Sequence, residues 1–185
     1  IIVRFPFVIF GILSIVFADK ASKSWFGKGA GIFVASGVAF LSFTLLYSNL
    51  SRPYSPGLMF IMLLTWFWNK VLTETDSSVR KKIVNALIFI AAISGALYSH
   101  YFAALMVVIS GVSGLFFINK INYKYFICSY LIAALLFIPH LNFTLNHISL
   151  GGVEQWLAKP DGYWFFEHLF NFFNNSRSVN SSSKV

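Results

Sequence analysis

Tyr47-Ser48-Asn49-Leu50-Ser51-Arg52-Pro53-Tyr54-Ser55-Pro56-Gly57 separates two long apolar runs, and its reading decides the fold. Pro53 and Pro56 forbid one continuous helix through it, because each lacks an N–H and crowds the preceding turn. Arg52 is the only arginine between Asp19 and Val79, and Tyr47 and Tyr54 flank it. A guanidinium between helix breakers, with apolar sequence on both sides, reads as the turn between two membrane-spanning helices at one membrane face.

Composition supports that reading. Hydrophobic residues make up 57% of the 185 and charged residues only 11%. A soluble domain carries about 25% charged residues, so this chain has too little charge to cover a water-facing surface. The expected class is an integral, multi-pass membrane protein. The formal net charge is +8, but the basic residues fall in short clusters between apolar runs. That is the pattern of a topology signal. The aromatics lie inside the runs and interleave with no basic stretch, which excludes a nucleic-acid-binding groove. Cys128 is the single cysteine. It excludes an intramolecular disulfide and a cysteine-based metal cluster, and in the middle of an apolar run it reads as a small buried hydrophobe. The chain starts at Ile1 without methionine and ends in a polar stretch at 180–185, so it is expected to be a piece of a longer polytopic protein.

Outward from the pivot, the apolar runs are Phe5 to Ala18, Gly29 to Ser48, Leu58 to Leu72, Ile83 to Ser99, Phe102 to Ile118 and Tyr125 to Ile138. About six spanning helices in an all-α bundle follow from them. The first run is short for a hydrocarbon layer of ~30 Å. Polar breaks are expected at Asp19 to Lys28, Lys70 to Lys82, Tyr98 to Tyr101 and Lys120 to Lys124, and Pro139-His140 closes the last run. Trp66 and Trp68 read as interfacial anchors. The expected organisation is a transmembrane bundle over 1–140, then outer-face interfacial helices and a polar tail over 141–185. That tail mixes Trp156, Tyr163, Trp164 and several phenylalanines with polar residues and turn signals.

The breaks after the first, third and fifth runs hold Lys20, Lys23, Lys28, Lys70, Arg80, Lys81, Lys82, Lys120 and Lys124, nine of the fourteen Lys and Arg. The positive-inside rule puts those breaks in the cytoplasm. Arg4, Arg52, His100, His140 and the aromatic tail then share the outer face. There Arg52 serves no topogenic purpose. Its planar fork suits a phosphate held in two parallel hydrogen bonds, with Tyr54 and Tyr47 as added donors. Tyr98-Ser99-His100-Tyr101-Phe102 forms a second cluster on the same face, and its histidine can donate, accept or ligate. His100, His140 and His147 contain no i, i+4 pair, so no metal site and no cofactor are expected. Of the acidic residues, Asp19, Glu74 and Asp76 fall on the lysine-rich side, while Glu154, Asp161 and Glu167 lie in the tail. No compact acidic pair offers a general base.

Four motifs in order carry a resemblance. They are Arg4-Phe5-Pro6 ahead of an apolar helix with Gly11, Ser51-Arg52-Pro53-Tyr54-Ser55, Tyr98-Ser99-His100-Tyr101-Phe102, and Ile138-Pro139. The order resembles the membrane region of bacterial GT-C glycosyltransferases, in particular the protein-mannosyltransferase-like and aminoarabinose-transferase-like group. Those enzymes often have leucine where Phe5 and Pro56 stand and threonine where Ser99 stands. The resemblance implies transfer of a sugar from a polyprenyl-phosphate donor to a protein, lipid or glycan acceptor on the outer face of a bacterial inner or plasma membrane. It implies that Arg52, Tyr54, His100 and Tyr101 bind the donor among membrane lipids. It also implies that the catalytic acidic residue lies upstream of Ile1, so that this piece alone is inactive. The alternatives are a polytopic transporter or a non-catalytic membrane scaffold subunit. Transporters favour ionisable residues at mid-membrane depth, and here the charges lie at the ends of the runs.

Overall fold

The computed structural model describes residues 3–149, 162–166 and 169–170. Among residues 3–149 seven helices run in order: α1 (Phe5–Phe26), α2 (Lys28–Phe40), α3 (Ser42–Asn49), α4 (Tyr54–Thr73), α5 (Val79–Ser99), α6 (Tyr101–Phe117) and α7 (Tyr123–Ser149). No strand occurs among the described residues. The carboxylates Glu154, Asp161 and Glu167, and most of the aromatic tail, lie outside the described residues.

The helix α4 is the axis of the bundle. It packs against α1 along one side and against α5 and α6 on others. Its buried residues run from Ser55 and Gly57 at the start through Leu64, Phe67 and Trp68 to Val71 and Leu72 at the end. Small residues on the neighbours, Ala92 and Ala96 of α5, Ala103 of α6 and Ala133 of α7, let the helices close on one another. Gly114 of α6 lies under the Phe126 ring of α7, a contact that leaves no space for a side chain. Phe89 is fully buried, with Phe126 stacked at 5.9 Å and Tyr130 edge-on at 5.7 Å.

The outside of the bundle is apolar. Phe33 and Phe40 of α2 are 84% and 83% exposed, and Phe116 of α6 is 82% exposed. A helix apolar on both its packed and its open faces belongs in lipid. Among the described residues three helices are long and apolar enough to cross a membrane, namely α1, α5 and α7 through His147. The number is four if α2 and α3 make one crossing. The six expected from the sequence exceed this. The axis α4 carries Trp66, Trp68, Asn69 and Lys70 in its second half, and α6 has only 17 residues.

Several boundaries differ from the sequence reading. The break expected at Asp19 to Lys28 is helical as far as Phe26. Lys23 Nζ pairs with Asp19 at 2.8 Å one turn away, and the Ser22 and Ser24 hydroxyls donate back to Ala18 and Ala21 carbonyls. Gly27 ends α1 at φ 90, a conformation that favours glycine. The run Gly29 to Ser48 is not one helix. At Leu41 the backbone is extended (φ −60, ψ 128), and α2 and α3 meet at a bend of 57°. Pro139 does not stop α7, which continues across residue 140 to Ser149. Trp68 is no interfacial anchor. It is buried, and its Nε1–H donates to the Ser110 carbonyl at 2.8 Å. Cys128 is exposed, contrary to its expected burial.

Candidate functional site

The alternation of helix direction gathers the Pro-bracketed loop, the α5–α6 junction and the start of α1 at one end of the bundle. Three contacts fix this end. The Ser55 hydroxyl of α4 donates to the Phe7 carbonyl of α1 at 2.8 Å. Gly11 of α1 abuts Ser48 of α3. Gly57 of α4 faces Ser99 and Ala103, where an added methyl would make ordinary contact at 3.6 and 3.7 Å. At the opposite end, Asn85 of α5 reaches Glu74 and Asn122 reaches the end of α4. That end carries the nine lysine and arginine residues.

The turn that presents Arg52 is tight. Its N–H donates to the Leu50 carbonyl at 2.8 Å, and Pro53 leads into α4 at φ −68, with its carbonyl accepting from Gly57 N–H at 3.1 Å. Proline suits this position because the first helical amides have no partner inside the helix. Arg52 is exposed, and among the described residues its guanidinium pairs with no carboxylate.

Tyr54 joins the two clusters. Its ring lies 4.4 Å from Tyr47 and 4.7 Å from His100, with Phe43 edge-on at 6.3 Å. His100 stands at an extended break (φ −162, ψ 151) and caps α6. Its Nδ1 accepts the Phe102 N–H at 3.2 Å, and its ring stacks on Phe102 at 5.4 Å. With Nδ1 engaged as an acceptor, the neutral ring carries its proton on Nε2, which is then a donor. Burial holds the His100 pKa below its ordinary value, so the neutral form is favoured. Tyr101 is half exposed, with its ring 6.1 Å from that of His100.

Thus Tyr54, His100 and Tyr101 are brought together, with Arg52 two residues from Tyr54 on the loop. The surface they make is an open shelf: Arg52 and Tyr101 are exposed, and Tyr47, Tyr54 and His100 are half buried. Sequence reasoning missed one member and left the partners of another, Tyr98, unread. Phe43 extends the row of rings to α3, 4.6 Å from Tyr47. Tyr98 lies 5.0 Å from His140, and its hydroxyl donates to the Leu136 carbonyl at 2.7 Å, in the turn that Pro139 disturbs. Phe43 carries no signal beyond being aromatic in an aromatic-rich chain. Among the described residues no three His, Cys, Asp or Glu side chains converge to hold a metal. The described carboxylates, Asp19, Glu74 and Asp76, all sit at the far end, so among the described residues the shelf has donors and a cation but no carboxylate base.

Comparison with family models, with curated proteins and with solved structures finds no match to this chain.

Proposed function

We propose that the chain is part of an integral-membrane glycosyltransferase of the GT-C kind, which takes a sugar from a polyprenyl-phosphate donor to an acceptor on the outer face. The bundle crosses the membrane six times. The α2–α3 pair makes one crossing, α4 crosses as the sheltered axis with Ser55, Trp68 and Asn69 bonded to neighbouring helices, and α6 makes the shortest. The lysine-rich end faces the cytoplasm, and the shelf lies outside. Arg52, Tyr54, His100 and Tyr101 hold the donor's phosphate.

The observation that supports this reading is the 4.7 Å contact between Tyr54 and His100. Two motifs 46 positions apart in sequence meet on one shelf beside an arginine that, among the described residues, no carboxylate neutralises. The chemistry fits a phosphate at a membrane face. Arg52 supplies a bidentate fork, and His100 Nε2–H and the tyrosine hydroxyls supply neutral donors. These groups bind the phosphate and offset its charge as it leaves. Activation of the acceptor belongs to a carboxylate that the described residues do not supply.

The test is the binding of a polyprenyl monophosphate to the purified chain in detergent, followed by native mass spectrometry. Arg52→Ala removes charge-assisted hydrogen bonds of roughly 1.5–3 kcal/mol, so affinity falls by about tenfold or more. Arg4→Ala serves as the control from the same face. Unchanged affinity in the Arg52 variant removes the donor-site reading.

A further inference from the structure

A second site is carried by a groove at the lysine-rich end, between α5 and α7. It measures about 690 Å³. Its walls are two stripes at helical spacing, Ile83, Leu87 and Ile90 on α5 and Lys124, Cys128 and Ile132 on α7. Between them the buried small residues Ala86 and Ser129 make a floor that side chains do not fill. The α7 stripe is graded. It starts with a cation, passes an exposed thiol and ends apolar, so polarity falls from the end of the bundle toward its middle over about 12 Å.

Lys120, in the loop before α7, stands with Lys124 at the groove mouth. Both are exposed, and among the described residues neither pairs with a carboxylate. The acids at this end are already engaged. Asp19 holds Lys23 at 2.8 Å, Glu74 holds Lys81 at 3.0 Å, and Asp76 accepts from the Thr75 hydroxyl. The mouth is therefore cationic and the interior apolar. A second protein helix would need an apolar or acidic face along its length. A lipid supplies the same contrast within one molecule, and a choline headgroup would meet two like charges.

We propose that this groove holds one anionic phospholipid of the leaflet at the lysine-rich end. Its phosphate sits between Lys120 and Lys124, and an acyl chain runs along Leu87, Ile90, Cys128 and Ile132. Basic pockets between spanning helices suit such headgroups, at about 1 kcal/mol per lysine. The site rests on the bundle being embedded in a membrane and is independent of the sugar-transfer reading.

Cys128 provides the readout, because it is the only thiol in the chain and lines the groove. The purified chain in uncharged detergent is alkylated with a maleimide while phosphatidylglycerol or phosphatidylcholine is titrated in. Phosphatidylglycerol slows labelling at concentrations where phosphatidylcholine does not. Lys120→Gln and Lys124→Gln each raise the half-protecting concentration about fivefold, whereas Lys20→Gln, at the same end but outside the groove, leaves it unchanged. Equal protection by both lipids, or full protection of the double variant, overturns the proposal. Release of the chain from membranes by alkaline carbonate would remove the membrane embedding itself, and the groove proposal with it.

Discussion

His100 is the residue whose chemistry is most constrained by its position. Its ring is half buried among Tyr54, Tyr101 and Phe102, and its Nδ1 is committed to the α6 amide. Desolvation lowers its pKa, so between pH values just above its ordinary 6.5 and the lower folded value the unfolded chain binds more protons than the folded one. Stability therefore rises with pH across that window and falls as pH drops through it. Thermal unfolding in detergent at pH 5 and pH 8 should show a lower midpoint at pH 5, and His100→Gln should shrink the difference. A full-sized difference in that variant would assign the pH response elsewhere. Glu74 responds at more acidic pH. Burial raises its pKa, but hydrogen bonds from Lys81 and Ser77 and the nearby Lys81 and Lys70 charges outweigh that and hold the carboxyl below its usual range. Its contribution is present above the unfolded value and lost as pH falls through the lower folded one.

Between elements, the connections that matter are few and polar. Asn122, almost fully buried, donates to the carbonyls of Leu72 and Glu74 at 3.3 and 3.2 Å and so ties the start of α7 to the end of α4. Helix C-terminal carbonyls have no acceptor-seeking partner within their own helix. Asn122→Ala leaves two of them without this donor and should cost about 1–3 kcal/mol, read as a lower thermal midpoint in detergent; Asn122→Asp, with acceptors only when ionised, should not restore it. The sequence made most of the elements legible. The runs of apolar residues located α4, α5, α6 and the start of α7, and the motif at Tyr98–Phe102 located the α5–α6 junction. Three boundaries were not legible. The lysines and serines of Asp19 to Lys28 look like a loop, yet their side chains bond back onto the helix. Pro139 looks like a terminator, yet the helix passes it, with the Tyr98 hydroxyl serving a carbonyl in the disturbed turn. The bend at Leu41 has neither glycine nor proline to announce it.

For the whole molecule, the charge pattern and the helix directions agree. Nine basic residues collect at one end, and the proposed phosphate shelf at the other. Half of the candidate site was readable, since Arg52, Tyr54, His100 and Tyr101 announce themselves as polar groups in breaks. Their meeting was not, because it depends on α4 and α6 starting at the same end and closing through Gly57. Two single-cysteine variants in a Cys128→Ser background test the topology. Ser51→Cys should react with a membrane-impermeant maleimide only from outside the cell, and Asp76→Cys only in inverted vesicles. Reaction from the same side would mean that α4 does not cross. The interruption at Leu41 has a consequence of its own. Backbone amides inside an unbroken membrane helix are sealed from water by their own ladder, and the ladder is interrupted where α2 meets α3 at 57°. Deuterium should therefore enter the backbone around residues 42–44, between the paired Leu41 and Leu45 amides, well before the middle of α5 or α7, making this joint the leak in an otherwise watertight wall. Protection there equal to that at Phe89 would mean the joint is sealed in the membrane.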